Sequence, residues 1–155
     1  EDGWFRTSDI AVQDEKGRFF IKGRNSNMIL GPSGENIYPE EIENVINNVE
    51  GVSESIVVER DGRHVALVQP MENYIDWDSE FEDKFYEKLD SWKAKLLGDV
   101  NKSVNKSSQV SSVEVMKEPF EKTATQKIRR FKYKDSAPTV EQYSKNEKKE
   151  QEKKK

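Results

Sequence analysis

The sequence predicts an α+β domain in which a small β-sheet, built of hairpins, is covered by helices. Three observations support this fold class. Short strand-like runs occur in pairs separated by turn residues, and two longer segments repeat apolar residues with the helical period. The chain of 155 residues is also long enough for one compact domain with a modest core.

The composition excludes several classes of protein. Hydrophobic residues make up 33% of the chain and charged residues 36%, and no window holds the roughly 18 consecutive apolar residues of a transmembrane helix. There is no cysteine, which excludes disulfides, thiolate metal sites and a cysteine nucleophile, and the one histidine, His64, cannot build a multi-histidine site. We expect no metal site and a reducing, cytoplasmic setting.

The charge is mild overall but uneven along the chain. With 26 basic and 30 acidic residues the net charge is −4, which does not indicate a nucleic-acid binder. Residues 72–90 carry eight acidic side chains against two lysines, whereas residues 119–134 carry six basic side chains against the single acid Glu121. This basic segment could meet a polyanion such as a nucleotide. The start of the chain lacks both an initiating methionine and a signal-peptide pattern, so we expect a piece of a longer protein.

The first elements are a predicted hairpin and a loop containing glycine. Strand-like residues 10–12 and 19–21 flank a turn composition at 14–17. Residues 28–30 predict a short buried strand, and the loop 31–34 that follows suits a positive φ, a close ligand approach or simply a tight turn. The loop lacks the Walker pattern, so its composition alone gives weak support for phosphate binding.

A first helix and a second hairpin follow. The helix is predicted to begin at Pro39, which fits a first helical turn, and to stop at about Gly51. Strands 56–58 and 65–68 flank an Asp-Gly pair at 61–62, which favours a tight antiparallel turn. The apolar positions of the helix are Ile42, Val45, Ile46 and Val49.

A second amphipathic helix is predicted to begin near Asp78 or Ser79, with Glu82 completing a capping box, and to stop before Gly98. We expect its apolar stripe to belong to the core rather than to stack on bases, because the stripe keeps the helical period and lies among acidic residues. The stripe consists of Phe81, Phe85, Leu89, Trp92 and Leu96.

The last third of the chain predicts smaller elements. A short third helix is expected around Val100 and Val104, and alternating residues 112–116 predict a strand. From residue 135 the chain is rich in Lys, Glu, Gln and Ser without apolar periodicity, which predicts a disordered tail or a frayed helix. Contact of its terminal lysines with anionic lipid is possible, although interleaved glutamates weaken that interpretation.

Taken one by one, the polar candidates have ordinary explanations. Asp9 fits a strand end, Arg24 and Lys127 are residue types that are usually exposed, and His64 lacks the partners of a catalytic triad. Lys127 gains interest from its neighbours, because two threonines precede it and two arginines follow. An ammonium among hydroxyl donors and positive charge could hold a phosphate and a carboxylate together.

Four motifs then point to one family. They are DGWFRTSD at 2–9, GR at 23–24, GENIYPEEIE at 34–43 and TATQKIRR at 123–130. In this order they resemble the C-terminal part of AMP-forming acyl-CoA synthetases, which belong to the adenylate-forming superfamily. The resemblance covers about residues 1–134, and four separated motifs are far more specific than any one of them.

The resemblance implies a domain organisation and a reaction. Residues 1–25 would be the last hairpin of a large N-terminal domain, 26–134 a C-terminal lid, and 135–155 a charged tail. The family converts a carboxylate and ATP to acyl-AMP and pyrophosphate, and then transfers the acyl group to coenzyme A after the lid rotates on a hinge. The loop between residues 24 and 39 looks like that of long-chain fatty acid-CoA ligases.

The same resemblance implies which molecules take part. The substrates would be a fatty acid, ATP and coenzyme A, and the partner would be the chain's own N-terminal domain. Mg²⁺ is expected for the whole enzyme, bound outside residues 1–155. No nucleic-acid partner is expected, and the isolated fragment should not catalyse the reaction.

By resemblance, three residues serve adenylate formation. Asp9 matches the acid that binds the ATP ribose hydroxyls, for which a carboxylate supplies two acceptors. Arg24 matches an arginine near the same ribose. Lys127 matches the adenylation lysine, whose ammonium contacts carboxylate and α-phosphate together and lowers their repulsion.

Other matched positions serve the lid movement. Ser26 falls at the hinge, where the family usually has Asp or Lys, and Gly34 with Glu35 matches the loop that lines the coenzyme A tunnel. Ser8 and Gln126 stand where the family usually has glycine. These departures leave two alternatives open, a non-catalytic module that binds acyl-adenylate or coenzyme A, and a ligase for aryl, medium-chain or amino acids.

Overall fold

The computed structural model describes residues 9–77 and 83–154 and has the predicted α+β architecture. Residues 1–8, with most of the first motif, and residues 78–82, with the predicted helix start and Phe81, lie outside the described residues. The strands are β1 (Asp9–Gln13), β2 (Phe19–Arg24), β3 (Ile29–Leu30), β4 (Asn36–Ile37), β5 (Val52–Arg60), β6 (Arg63–Pro70) and β7 (Ser112–Val115). The α-helices are α1 (Pro39–Ile46), α2 (Asp83–Ser103) and α3 (Val140–Lys153).

The predicted first hairpin is confirmed. Strands β1 and β2 pair antiparallel, and Asp14 organises the turn between them. Its Oδ1 accepts hydrogen bonds from the backbone N–H groups of Lys16 and Arg18, each at 2.9 Å, and its Oδ2 accepts one from Arg18 Nε at 2.8 Å. The backbone bond from Arg18 is the main reason that the pKa of Asp14 lies below its ordinary value.

The central sheet has three strands in the order β5-β6-β7. Strands β5 and β6 pair antiparallel around Asp61 and Gly62, whose φ values of 51° and 73° are those of a tight hairpin turn. Strand β7 then pairs parallel to β6, which the intervening α2 makes possible by returning the chain across the sheet. The sequence predicted all three strands, but not the parallel pairing.

One face of the sheet packs against α1 and α2. The strands contribute Val57, Ala66 and Val68 to this core. Helix α1 contributes Ile42 and Ile46, both almost fully buried, as the helical periodicity predicted. Helix α2 covers the same face through Leu96 and Val100.

The opposite face is covered by the irregular segment 116–137 rather than by a helix. Alternate strand residues Ile56, Val58 and Leu67 point to this side. They pack against residues of the segment, which include Met116, Phe120, Tyr133 and Ala137. The basic segment predicted from the sequence is therefore one layer of the fold.

The chain beyond residue 135, which the sequence predicted as a disordered tail or a frayed helix, forms α3, whose first turn packs against the rest of the fold. Val140 at the start of α3 is buried with Phe85 and Val115, and the Thr139 side chain caps the helix by accepting a hydrogen bond from the Gln142 N–H at 3.3 Å. Glu141 pairs with Lys93 of α2 and accepts a hydrogen bond from a backbone N–H of β7 at 3.0 Å. Composition could not decide between disorder and a frayed helix, because only the first turn of α3 is buried.

Glycine positions account for two further corrections. Gly98 does not end a helix, because α2 continues through it to Ser103 and includes Val100, which was expected in a separate short helix. Helix α1 ends at Ile46, before Gly51, which instead adopts a φ of +88° in the turn leading to β5.

The short strand at 28–30, which was predicted as buried, is only partly covered, since Leu30 is 67% exposed.

Candidate functional site

Lys127 lies at the end of a tight turn that its own sequence motif builds. The Thr123 N–H donates to the Lys127 carbonyl at 2.8 Å, and the Gln126 N–H donates to the Thr123 carbonyl at 2.9 Å. The Thr123 hydroxyl accepts a hydrogen bond from the Lys127 N–H at 3.3 Å and lies 3.0 Å from the Thr125 hydroxyl. The two threonines that drew attention in the sequence therefore shape the turn and hold the Lys127 backbone.

The ammonium group of Lys127 is available to a ligand. Its side chain is exposed, and it forms no hydrogen bond or ion pair with any residue in the described ranges 9–77 and 83–154. Several neighbouring cations are occupied. Lys122 pairs with Glu54 at 2.7 Å, and Lys132 pairs with Glu121. The basic segment is therefore largely neutralised within the fold, and it leaves Lys127 as a charge that can meet an anion.

A buried ion pair fixes the C-terminal end of this turn. Arg130 donates hydrogen bonds to both carboxylate oxygens of Glu43 on α1, and the Val57 N–H donates to Glu43 Oε2 at 3.0 Å. Burial raises the pKa of Glu43 despite the opposing effect of Arg130. The sequence analysis included Glu43 only as the last residue of the motif GENIYPEEIE and missed its role as the anchor of Arg130.

A second arginine fixes the segment just after the turn. Arg60 at the end of β5 pairs with Glu114 at 2.6 Å. Its Nε donates to the Lys134 carbonyl at 2.9 Å, and its Nη2 donates to the Tyr133 carbonyl at 3.0 Å. The three contacts hold the end of the basic segment on the sheet. No sequence motif indicated Arg60, because its partners are distant in sequence.

Asp9 and Arg24, the predicted ribose ligands, lie opposite each other in the β1–β2 ladder. Arg24 Nε is 3.9 Å from Asp9 Oδ1, and both side chains remain partly open to solvent at 45% and 33%. The hairpin register therefore makes these two residues neighbours. The structure does not join either of them to Lys127 by a hydrogen bond or ion pair among the described residues.

Ser26, the predicted hinge, lies in a short 3₁₀ helix, Asn25–Asn27, and is exposed. Glu40 on α1 contacts the chain on both sides of it: Glu40 Oε1 accepts hydrogen bonds from the Arg24 N–H at 3.2 Å and from Asn27 Nδ2 at 2.7 Å. Ser26 also lines a cavity of about 190 Å³ together with Arg130. The predicted hinge position therefore adjoins the arginine that anchors the Lys127 turn.

The glycine loop is the tip of the small hairpin formed by β3 and β4. The Gly31 N–H donates to the Glu35 carbonyl at 2.8 Å, and the Gly34 N–H donates to the Gly31 carbonyl at 3.0 Å. Gly34 has a φ of +83° and lies open to solvent, whereas a Cβ at Gly31 would come within 2.4 Å of Glu35 Oε1. Gly34 is therefore favoured by its backbone conformation, and Gly31 by the space that the Glu35 side chain occupies.

Residues 27–147 match the family described as the AMP-binding enzyme C-terminal domain. This chain belongs to that family. The match begins beside Ser26 and extends past residue 134 into α3, so the helix expected as a tail is part of the domain.

Similar proteins support the family and the fold of this AMP-binding enzyme C-terminal domain. A 2-succinylbenzoate–CoA ligase of Listeria monocytogenes is 53% identical over 57 residues, which are 37% of this chain and 12% of that protein. The long-chain-fatty-acid–CoA ligase FadD13 of Mycobacterium tuberculosis is 52% identical over 58 residues, 37% of this chain and 11% of that protein. The solved fatty acyl CoA synthetase of Mycobacterium tuberculosis has a TM-score of 0.56 and 28% identity, over 94% of this chain and 25% of that one.

The described part of the domain offers no metal site: residues 9–77 and 83–154 contain no group of three or more His, Asp or Glu that could hold an ion. The Mg²⁺ that the family resemblance implies was expected outside residues 1–155, and none of the described residues is assigned to it. None of the helices in these two ranges combines the length and the apolar content needed to cross a bilayer. The single histidine, His64, is buried with its Nδ1 3.2 Å from the Gln109 carbonyl, in agreement with a structural role.

Proposed function

We propose that this chain is the C-terminal part of an ATP-dependent, AMP-forming ligase that joins a carboxylic acid to coenzyme A, with a long-chain fatty acid as the acid. Residues 1–25 would belong to a large N-terminal domain, and the family domain that follows would act as its lid. Lys127 would serve acyl-AMP formation, and the loop of Gly34 and Glu35 would serve thioester formation. Mg²⁺ would be held by residues outside this chain.

The observation that carries the proposal is the exposed ammonium of Lys127 on a turn with anchored ends. Adenylation must bring a carboxylate against the α-phosphate of ATP, and the two anions repel each other. One ammonium that contacts both reduces this repulsion and fixes the line of attack. The Arg130–Glu43 pair and the Thr123 hydrogen bonds support this role, because they position the Lys127 backbone while its Nζ has no partner within residues 9–77 and 83–154.

The geometry of Asp9 and Arg24 supports ribose binding. The Asp9 carboxylate can accept hydrogen bonds from two neighbouring hydroxyls, and Arg24 can donate to oxygen atoms from the same side of the hairpin. Their separation of 3.9 Å is too long for a tight ion pair, and both side chains are partly exposed. We propose that Arg24 orients the Asp9 carboxylate and that both groups turn to the nucleotide when it binds.

The second half-reaction needs the lid in another orientation. Ser26 would be the residue at which the backbone rotates, since it is exposed in a short 3₁₀ helix at the start of the family domain. After rotation, the loop with Gly34 and Glu35 would replace Lys127 at the reacting atoms. The open space around Gly34 supports a close approach of the coenzyme A chain to the backbone.

The test is a pair of half-reaction assays on the complete enzyme. We expect Lys127→Ala to slow acyl-AMP formation, measured as pyrophosphate exchange, by about 10²- to 10³-fold. Thioester formation from supplied acyl-AMP should change little, because the lysine acts only in the first half-reaction. Lys132→Ala is the matched control: it removes a lysine of the same segment that is paired with Glu121, and it should leave both rates within a few-fold. Unchanged pyrophosphate exchange in Lys127→Ala would refute the assignment.

The nature of the acid requires its own experiment. The similar proteins include a ligase for 2-succinylbenzoate and one for long-chain fatty acids at nearly equal identity. We propose the fatty acid because the loop between Arg24 and Pro39 resembles that branch. Comparing kcat/KM of the complete enzyme for a long-chain fatty acid and for 2-succinylbenzoate decides between them, and a higher value for the aromatic acid would replace our choice.

A non-catalytic binding module is the second candidate. It is favoured by Ser26, which departs from the charged hinge residue, and by Gln126, which stands in place of a glycine. Titration of the complete protein with a non-hydrolysable acyl-AMP analogue and with coenzyme A separates the candidates. Tight binding of both without turnover of any acid would support the module and contradict the ligase.

A further inference from the structure

We propose that Glu40 is a latch across the hinge and holds the domain in one of its two orientations. This inference rests on the proposed function for its role in the two half-reactions, but the contact itself is a property of this chain. Glu40 Oε1 accepts hydrogen bonds from the Arg24 N–H at 3.2 Å and from Asn27 Nδ2 at 2.7 Å. These two donors lie on either side of Ser26.

The position of the two donors makes the contact a latch. The family domain begins at Asn27, and Arg24 ends the separate β1–β2 hairpin that precedes it. Glu40 lies in the first turn of α1 and moves with the domain. Rotation about Ser26 would therefore keep the Asn27 bond, which lies within the domain, and break the Arg24 bond, which crosses the hinge.

The chemistry of the contact suits repeated opening. A carboxylate that accepts a backbone N–H makes a charge-assisted hydrogen bond, which is stronger than a neutral one. The other oxygen, Oε2, is buried and has no hydrogen-bond partner among the described residues. An unsatisfied buried oxygen opposes the closed contact, so the net stability of the latch is lower than its two hydrogen bonds alone would give. A contact of this kind shifts the equilibrium between the two orientations of the domain but still allows both to be populated.

The latch makes Glu40 a positioning residue rather than a catalytic one. It acts on whichever half-reaction uses the orientation with the Arg24 bond closed. Opening the latch should slow that half-reaction and accelerate the other, because each molecule that leaves one orientation of the domain enters the other. Loss of a charge-assisted hydrogen bond corresponds to a change of about 10-fold in such a ratio.

The first experiment measures orientation without any catalysis. The chain contains no cysteine, so spin labels can be placed at Lys16→Cys in the hairpin turn and Lys95→Cys on α2, both exposed. We expect a narrow distance distribution in the otherwise unchanged chain and a second population with Glu40→Ala. Glu40→Gln keeps an oxygen acceptor and should change the distribution less. Glu87→Ala is the control, because it removes an exposed acid from another helix of the same domain, α2.

The second experiment measures both half-reactions in the complete enzyme. Glu40→Ala should change the ratio of the acyl-AMP to the thioester rate by about 10-fold, and Glu87→Ala by less than 2-fold. An unchanged distance distribution overturns the latch whatever the activity. A second population together with an unchanged ratio overturns its role in the reaction. If the complete protein forms no acyl-AMP at all, the proposed function and the role in the reaction fail together, and the distance measurement still decides the contact.

Discussion

Gln126 illustrates how a departure from a family pattern can be explained by one backbone angle. It stands where glycine is commonest in the family resemblance, and its φ is 65°, in the left-handed region. A residue with a Cβ pays for this conformation, whereas glycine does not. The turn that presents Lys127 therefore keeps the glycine-type backbone although the glycine itself is absent.

We expect Gln126→Gly to stabilise the chain by about 0.5 to 1 kcal/mol, because glycine removes a left-handed cost of about 1–2 kcal/mol but loses more backbone freedom on folding. Urea unfolding followed by circular dichroism measures the change. Gln126→Ala keeps the Cβ and should give no gain. Equal stability of the glycine and alanine variants would show that the turn is not strained at this residue.

At the scale of elements, α2 shows why a glycine is an unreliable stop signal. A glycine ends a helix when the backbone turns left-handed there, but Gly98 lies in the helix interior without a positive φ. The burial of Leu96 and Val100 on either side keeps the segment helical. Packing of one face thus outweighs the low helix propensity of one residue.

We expect Gly98→Ala to stabilise the chain by about 0.5 to 1 kcal/mol, because alanine is the better helix former and a Cβ at this position meets no atom within 4 Å. Thermal or urea unfolding tests this. Gly51→Ala is the contrasting variant. Gly51 has a φ of +88°, and its Cβ would approach Tyr74 Cε1 to 2.4 Å, so this change should destabilise the chain. The idea fails if both alanines shift the unfolding midpoint in the same direction.

At the scale of the whole molecule, ion pairs between residues that are distant in sequence help to hold the irregular segment 116–137, which carries Lys127, on the sheet. Arg130 reaches Glu43 of α1, Arg60 of β5 reaches Glu114 of β7, and Lys122 reaches Glu54 of β5. The Arg130–Glu43 pair is the one in which burial dominates, since burial is the largest cause of the raised pKa of Glu43. The placement of Lys127 is therefore linked to the ionisation of a residue on another element.

The raised pKa of Glu43 predicts a pH dependence of stability. Above the ordinary value of 4.5 and up to the raised value, the folded chain still holds a proton that the unfolded chain has lost. The free energy of unfolding therefore falls as pH rises through this window. Glu43→Gln lacks this proton, so its stability relative to the unaltered chain should increase with pH across the window. Urea unfolding at several pH values tests the sign, and a relative stability that decreases with pH would show that the Arg130 pair outweighs burial.

Local patterns in the sequence determined much of this protein. The hairpins followed from turn residues such as Asp61 and Gly62, whose backbone requirements are local, and α1 followed from its apolar period. The family followed from four short motifs, because residues that shape a turn or meet a ligand lie close together in the chain. Periodicity and composition left the structure undecided where the decisive contact was distant, as at α3, whose single buried turn leaves no apolar period.

Only the tertiary structure decided which charges are available and which are used in the fold. In the sequence, residues 119–134 form one basic segment, but folding pairs Lys122, Arg130 and Lys132 with acids and leaves the ammonium of Lys127 exposed. Nor does any motif join Glu40 to Arg24, which is 16 residues away. Such pairs depend on distances between separate elements, and these distances are fixed by the packing of both faces of the sheet rather than by neighbours in the chain.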